Sequence, residues 1–278
     1  MSHRWACLFG HPVAHSLSPT LHNAAFQALG VDAHYEARDV DPELLGDAVQ
    51  ALREPACYGA NVTAPHKQAI MALLDALTPE VRALGAVNTV VNQGGRLTGG
   101  NTDGPGLARW MSEVGIEPRG RPALVVGAGG AARSAVWALA TLGASRIHVV
   151  NRTLERARQV QADLAMGGIA DLTVGALHEV AEHTNEPWGV IVNATSLGHH
   201  GAAPDVHPSC YSPQSVAIEL AYNPPETGFM RAAQAAGARA ENGLGMLVHQ
   251  AALSFERWTG RTPPLEVMFG AVADRIGV

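Results

Sequence analysis

The sequence is poor in cysteine and in charge, and it has no long run of purely apolar residues. Its three cysteines, Cys7, Cys57 and Cys210, are far apart, odd in number and form no C-x-x-C pair. This argues against a disulfide framework or a zinc knuckle and favours a reducing compartment. Charged residues make up 16% of the 278 positions and the formal net charge is -6. General nucleic-acid binding, which needs a basic face to displace counterions, is therefore not expected. The stretch of lowest charge, Pro122 to Ala144, contains Arg133 and four glycines, so it fits a buried strand and helix better than a membrane span. The first residues show no charged-then-apolar leader pattern, and no internal repeat or low-complexity tract is present. The expectation is a cytoplasmic protein that binds neither membrane nor nucleic acid.

A hydrophobic content of 47% is enough for a sizeable core. Short β-rich runs alternate with helical runs, which indicates an α/β fold. Ala6 to Gly10 reads as a strand, followed by a helix capped by Ser18 with Pro19 at its first position and ended by Gly30. Gly59 to Thr63 reads as a strand, and Pro65 opens a helix to about Leu77. Val87 to Asn92 and Arg96 to Gly99 form a hairpin around Gly94-Gly95. Asp103-Gly104-Pro105 starts a connecting helix that ends near Gly115. Ala123 to Val126, Ile147 to Val150, Val190 to Asn193 and Val216 to Leu220 are candidate strands of a second domain. A helix follows from Gly245, and Pro263-Pro264 separates it from a last helix to about Ile276.

The strand Ala123 to Val126 runs into Gly127-Ala128-Gly129-Gly130-Ala131-Ala132-Arg133, a G-x-G-x-x-A string in strand-turn-helix context. The first Gly permits the tight turn, the second lets backbone approach a pyrophosphate, and Ala at the third position allows close packing of helix on strand. The free amides and positive end of the helix then face the phosphates. This points to dinucleotide binding. The next strand ends in Asn151-Arg152-Thr153, without the acid that would hold a ribose 2′-hydroxyl. Arg152 suits a 2′-phosphate, so the cofactor is NADP rather than NAD. Arg156 is an open candidate for the same site, and Arg158 reads as a solvated helix charge.

Four further segments exceed what a scaffold needs. His15-Ser16-Leu17-Ser18-Pro19 puts hydroxyls at a strand-to-helix junction, where capping explains Ser18 but not Ser16. Asn61-Val62-Thr63-Ala64-Pro65-His66-Lys67 gathers an amide, a hydroxyl and an ammonium at a strand end, although Lys67 alone reads as an exposed helix lysine. Asn101-Thr102-Asp103-Gly104 offers a carboxylate that equally well caps its own helix. Gly243 to Gln250 puts a glutamine on an otherwise apolar helix, and that amide needs a partner if buried.

In their order, these strings resemble the shikimate dehydrogenase family. The matching stretches are Phe9 to His22, Gly59 to Lys67, Gly85 to Thr89, Asn101 to Gly106, Gly127 to Arg133, Asn151 to Thr153, Asn193 to Gly198, Tyr222 to Thr227 and Asn242 to Gly260. The resemblance implies two α/β domains with a cleft between them. An N-terminal substrate domain would comprise residues 1–103 and 245–278, and a Rossmann-type NADP domain residues 104–244. It implies reversible reduction of 3-dehydroshikimate to shikimate by NADPH, in aromatic amino-acid and chorismate biosynthesis. By the same resemblance, Lys67 and Asp103 are the catalytic pair, and Ser16 and Ser18 hold the substrate carboxylate. Thr63, Asn88, Asp103 and Gln250 bind its ring hydroxyls, and Tyr222 and Met246 border substrate and nicotinamide. Gly127, Ala128, Gly129, Gly130 and Ala131 hold the pyrophosphate. Asn151, Arg152 and Thr153 take the 2′-phosphate, with Arg156 an open candidate beside them and Thr195, Gly243 and Met246 as further cofactor positions. The partner is a small-molecule substrate, bound by a monomer or a homodimer, with no metal.

The family pattern is broken at Gly100, where larger residues are common, and at His199, where Met or Leu is usual. Glu219 stands for a common Asp and Gly228 for a common Pro. His199 bears on the nicotinamide side of the site. His199, His200 and His207 read as a polar loop, since no acid or cysteine completes a metal set. A quinate or dual-specificity dehydrogenase on the same scaffold is the alternative, against which Arg152 and the Ser-x-Ser pair weigh. A non-catalytic NADP-binding regulator would be expected to lack Lys67 or Asp103, and both are present.

Overall fold

The computed structural model describes residues 3–169, 171–182 and 187–276. The chain divides into two compact units, one of Met1–Gly106 with Val248–Arg275 and one made mainly of Leu107–Leu247.

The strands of the first unit are β1 (Arg4–Gly10), β2 (Ala33–Asp39), β3 (Cys57–Val62), β4 (Ala76–Leu77), β5 (Thr89–Gln93) and β6 (Arg96–Gly100). Among the described residues they form a six-stranded sheet in the order β2-β1-β3-β5-β6-β4. β1 lies parallel to β2 and β3, whereas β5 is antiparallel to both β3 and β6. The helices in its N-terminal stretch are α1 (Ser18–Ala28), α2 (Leu45–Ala51), α3 (Pro79–Leu84) and the start of α4 (Asp103–Glu113); most of the two C-terminal helices also belongs to this unit. The β5–β6 hairpin turns at Gly94 and Gly95, both at positive φ (63° and 88°), as the Gly-Gly pair predicts.

The second unit contains β7 (Pro122–Val126), α5 (Gly130–Thr141), β8 (Arg146–Asn151), α6 (Leu154–Met166), β9 (Leu172–Ala176), β10 (Val190–Asn193), β11 (Val216–Glu219), α7 (Gly228–Ala235) and β12 (Arg239–Glu241). Its sheet is wholly parallel, in the order β12-β11-β10-β7-β8-β9. Every residue of β10 and β11 is buried, which is why these strands read as unbroken apolar runs rather than alternating ones. The strand order reverses between β7 and β10, the point where open α/β sheets bind ligands at the carboxyl ends of their strands. The chain ends in α8 (Leu244–Thr259) and α9 (Leu265–Ile276). Phe255 of α8 packs against Phe26 of α1 with centroids 4.9 Å apart.

Two sequence expectations change, and one open reading is decided. No α-helix follows Pro65. The Lys67 carbonyl accepts from Val87 N at 2.8 Å, which diverts the backbone from a helical ladder. A 3₁₀ turn (Ala69–Leu73) leads instead to β4, which pairs with β6. The apolar run from Ile70 to Leu74 is too short to decide between these outcomes from periodicity. Ser18 does not cap α1; it is the first helical residue, Leu17 holds the cap position, and Pro19 comes second. Asp103 does not cap α4 either, because Asn101 Oδ1 accepts from the amides of Asp103 (3.0 Å) and Gly104 (3.4 Å).

Candidate active site

Release from capping leaves both oxygens of Asp103 available. Oδ2 accepts from Lys67 Nζ at 2.6 Å, and Oδ1 accepts from Asn88 Nδ2 at 2.7 Å. The two side chains of the ion pair are 23% and 11% exposed, so the pair is shielded from solvent but remains reachable by a ligand. Gln250 Oε1 lies 3.5 Å from Asn88 Nδ2. Lys67, Asn88, Asp103 and Gln250, spread over the sequence, thus come together. Lys67 sits on the turn after β3, Asn88 just before β5, Asp103 in the first turn of α4 and Gln250 on α8.

Behind them lies a buried polar network that sequence reading missed. Asn88 Oδ1 accepts from Thr102 N (2.7 Å) and Thr89 Oγ1 (2.9 Å), which fixes the amide with its nitrogen toward Asp103. Ser254 Oγ lies 2.9 Å from Thr89 Oγ1 and accepts from Asn61 Nδ2 at 2.9 Å. Asn61 Oδ1 in turn accepts from Tyr35 OH at 2.9 Å. Burial pushes the Tyr35 phenol well above its ordinary range, with nearby Cys7 adding to the rise and the Ser18 hydroxyl opposing it. His22, fully buried and stacked 4.3 Å from the Tyr35 ring, has its pKa lowered to about 3 by burial, with Asn61 opposing the shift. One sequence signal could have found Ser254: it lies four residues beyond Gln250, on the same face of an apolar helix.

Ser16 and Ser18 are adjacent, with Ser16 Oγ donating to Ser18 Oγ and accepting from Ser18 N, both at 3.2 Å. Thr63 follows β3, its amide donates to Phe9 O at 2.8 Å, and its methyl would meet any side chain placed at Gly10.

The cofactor candidates lie in the second unit. Gly127 follows β7 at φ +117°, and a Cβ there would come within 3.0 Å of the Ala194 carbonyl group. Only glycine permits this approach of the β7 and β10 ends. Gly129 is the N-cap of α5 and makes no side-chain cap, and a Cβ on it would meet nothing within 4 Å. The start of α5, which Ala128, Gly130 and Ala131 flank in sequence, therefore receives no side-chain cap from Gly129, and the space beside Gly129 is open. An uncapped helix start beside open space is a suitable place for an anion. Asn151 ends β8 and donates to Thr153 O at 2.9 Å, while Arg152, Thr153 and Arg156 lie around the start of α6. Arg158 pairs with Glu155 at 2.9 Å, as a surface helix charge does. Thr195 is fixed through its amide (3.1 Å) and hydroxyl (2.8 Å) to Asn193 Oδ1. Asn193 is itself anchored on buried Glu219 at 2.7 Å. Gly243 is required sterically, since a Cβ would overlap the Leu220 carbonyl. Tyr222 and Met246 are partly exposed.

The side chains of His199 and His200 lie outside the described residues. His207 Nδ1 accepts from Ser209 N at 3.2 Å. Among the described residues no group of three His, Cys, Asp or Glu is placed to hold a metal, and no helix is long and apolar enough to cross a membrane. The three cysteines are free and buried. Burial raises all of their pKa values, Cys57 to about 12 and Cys210 to about 11, so these thiols are unreactive.

Comparison with known proteins follows the same division. Residues 8–90 match the shikimate dehydrogenase substrate binding domain, residues 112–200 the shikimate / quinate 5-dehydrogenase family, and residues 243–272 the shikimate 5'-dehydrogenase C-terminal domain. A shikimate dehydrogenase (NADP(+)) from Moorella thermoacetica is 42% identical over 273 residues, 97% of this chain and 92% of the relative. The crystal structure of shikimate 5-dehydrogenase from Thermus thermophilus in complex with NADP(H) and shikimate superposes with a TM-score of 0.87. It is 38% identical, over 98% of this chain and 99% of that one. Quinate dehydrogenase from Corynebacterium glutamicum in complex with NAD gives a TM-score of 0.88 at 29% identity, covering 98% of this chain and 99% of that one. With identity above 40% along nearly its whole length, the chain belongs to the shikimate dehydrogenase family.

Proposed function

We propose that this protein catalyses the reversible NADP-dependent reduction of 3-dehydroshikimate to shikimate, a step of aromatic amino-acid biosynthesis. The observation that carries the reading is the shielded Lys67–Asp103 pair at 2.6 Å, with Asn88 on the second carboxylate oxygen. When bound, the nicotinamide supplies or accepts the hydride.

The chain's own residues manage charge and position. During reduction, negative charge gathers on the former carbonyl oxygen, and the Lys67 ammonium stabilises it and donates the proton. During oxidation the same amine accepts the hydroxyl proton. Asp103 holds Lys67 in place through Oδ2 and presents the rest of its carboxylate to a neighbouring hydroxyl. Asn88, Gln250 and Thr63 bind ring hydroxyls, and their donors and acceptors fix which face of the ring is presented. Ser16 and Ser18 hold the carboxylate, and Tyr222 borders the substrate. Arg152, with Asn151, Thr153 and Arg156, takes the 2′-phosphate, and the uncapped start of α5 takes the pyrophosphate. The setting this reading implies is cytoplasmic, with the enzyme a monomer or homodimer.

A second reading, quinate oxidation with NAD, is favoured by the likeness to the quinate dehydrogenase fold. Arg152 and the adjacent Ser16–Ser18 pair speak against it. Specificity constants for shikimate and quinate, each with NADP and NAD, separate the two. Shikimate with NADP should be the best combination. A higher constant for quinate with NAD, or no turnover of shikimate with either cofactor, would overturn the proposal.

A further inference from the structure

Helix α8 meets the catalytic segment at a second place, one turn beyond Ser254. Arg257 Nη2 lies 2.8 Å from Glu80 Oε1 of α3 and 3.5 Å from the carbonyl oxygen of Asn101. The same guanidinium lies over Gly100, where a Cβ would overlap Arg257 Nη1. The guanidinium fills the space that a side chain at Gly100 would need.

Asn101 is the residue through which this matters. Its Nδ2 donates to Ala86 O at 2.9 Å, and its Oδ1 accepts from Asp103 N at 3.0 Å and Gly104 N at 3.4 Å. The preceding carbonyl, of Gly100, accepts from Asn88 N at 3.1 Å. A change in the Asn101 peptide is therefore passed directly to the backbone of Asp103, whose carboxylate must meet Lys67 and Asn88 together. The Asn101 carbonyl has a charged donor from α8, and that donor is itself held by Glu80, with side-chain exposures of 31% for Arg257 and 20% for Glu80.

We infer that Arg257 is a positioning residue for Asp103, acting through the Asn101 carbonyl, and that Gly100 is glycine because this guanidinium lies over it. The inference rests on the role proposed above for Asp103.

The test is a double-mutant cycle with Arg257→Ala, Gly100→Ala and the pair. Gly100→Ala displaces the guanidinium without deleting its charge, so Glu80 keeps a cation nearby and the fold is perturbed less. Each single change should lower kcat for shikimate oxidation by about five- to twentyfold while leaving KM for NADP within about twofold. The double variant should be no slower than the worse single one, because both changes remove the same contact. A loss of melting temperature with kcat retained would mean a structural role only and would overturn the inference. Losses that multiply in the double variant would overturn the link between Gly100 and Arg257. Asp103→Asn, assayed in parallel, separates the two levels. If it is slow while Arg257→Ala turns over at the parental rate, the positioning role fails and the proposed function stands. If the parental protein does not oxidise shikimate, the function itself has failed.

Discussion

Replacing Asp103 by Asn removes one charge and, in this site, also creates a conflict that geometry makes unavoidable. Both carboxylate oxygens face donors, Lys67 Nζ at 2.6 Å and Asn88 Nδ2 at 2.7 Å. Neither donor can reverse. An ammonium has no acceptor, and the Asn88 amide is pinned because its Oδ1 accepts from Thr102 N at 2.7 Å. An asparagine at position 103 offers one acceptor and one N–H₂ group. Whichever way it turns, an N–H points at an N–H. Losing a hydrogen bond to a charged group costs roughly 1.5–3 kcal/mol, and stranding a buried donor costs roughly 1–3 kcal/mol more. The pair is 11–23% exposed, so water relieves part of this and a net loss of about 2–4 kcal/mol is expected. The cap of α4 is untouched, since Asn101 provides it. Turnover of shikimate should fall too, because Lys67, the proposed proton donor, loses the contact that holds it, and the loss should be at most the roughly hundred- to ten-thousandfold of a general acid–base contribution. Steady-state rates followed by NADPH absorbance, alongside thermal melting, measure both effects. An Asn variant with parental kcat and parental melting temperature would refute both the role and the hydrogen-bond reasoning behind it.

Ser16→Ala should raise KM for shikimate by roughly tenfold and leave KM for NADP unchanged; a normal calorimetric affinity for shikimate would put its carboxylate elsewhere. Arg152→Asp should lower the NADP-to-NAD ratio of specificity constants by about ten- to hundredfold, and an unchanged ratio would remove Arg152 from the 2′-phosphate site. Lys67 is the only lysine in the chain. An amine-acylating reagent therefore has one side-chain target, and saturating shikimate should slow inactivation; equal rates with and without shikimate would show that substrate does not cover it. His22, with its pKa lowered to about 3, stays neutral in the fold while an unfolded histidine protonates below about 6.5. The unfolded state then binds the extra proton, so stability falls with falling pH between about 6.5 and 3, by at most about 1.4 kcal/mol per pH unit from this group. His22→Phe should flatten that slope in denaturant titrations, and an identical slope would assign the loss to other groups.

The parts of this molecule legible in sequence were those written locally. β7, the Gly127 turn and α5 are contiguous, and each needs a recognisable residue type. The hairpin at Gly94 and Gly95 likewise follows from two positive φ angles. The cap was misread at Ser18 and left open at Asp103 for one reason. Ser, Asp and Asn all bind nearby amides, and a sequence does not say which of two neighbours turns inward. In the fold, Ser16 takes the amide of Ser18, and Asn101 takes those of Asp103 and Gly104. The buried network was not legible because its members meet only through topology. Asn61 and Ser254 share a hydrogen bond across 193 residues of sequence.

One signal in the composition did bear on the site and needs no structure to read. Eighteen of the nineteen Lys and Arg residues are arginine. Arginine serves every purpose that requires a fixed positive charge: pairing with Asp75 at Arg53, with Asp163 at Arg133, or with Glu80 at Arg257. It does not release a proton under ordinary conditions, because its guanidinium stays charged. Lysine does, and its compact ammonium can point at a single oxygen. A chain with arginine at every other Lys/Arg position and lysine at 67 fits the proposal that Lys67 carries the transferable proton. The fold sets that lysine against a shielded carboxylate and keeps it off the surface helix where its local sequence had placed it. Residue type and position thus support the proposed role by separate routes. The first rests on what an ammonium can do and a guanidinium cannot, the second on the 2.6 Å contact with Asp103.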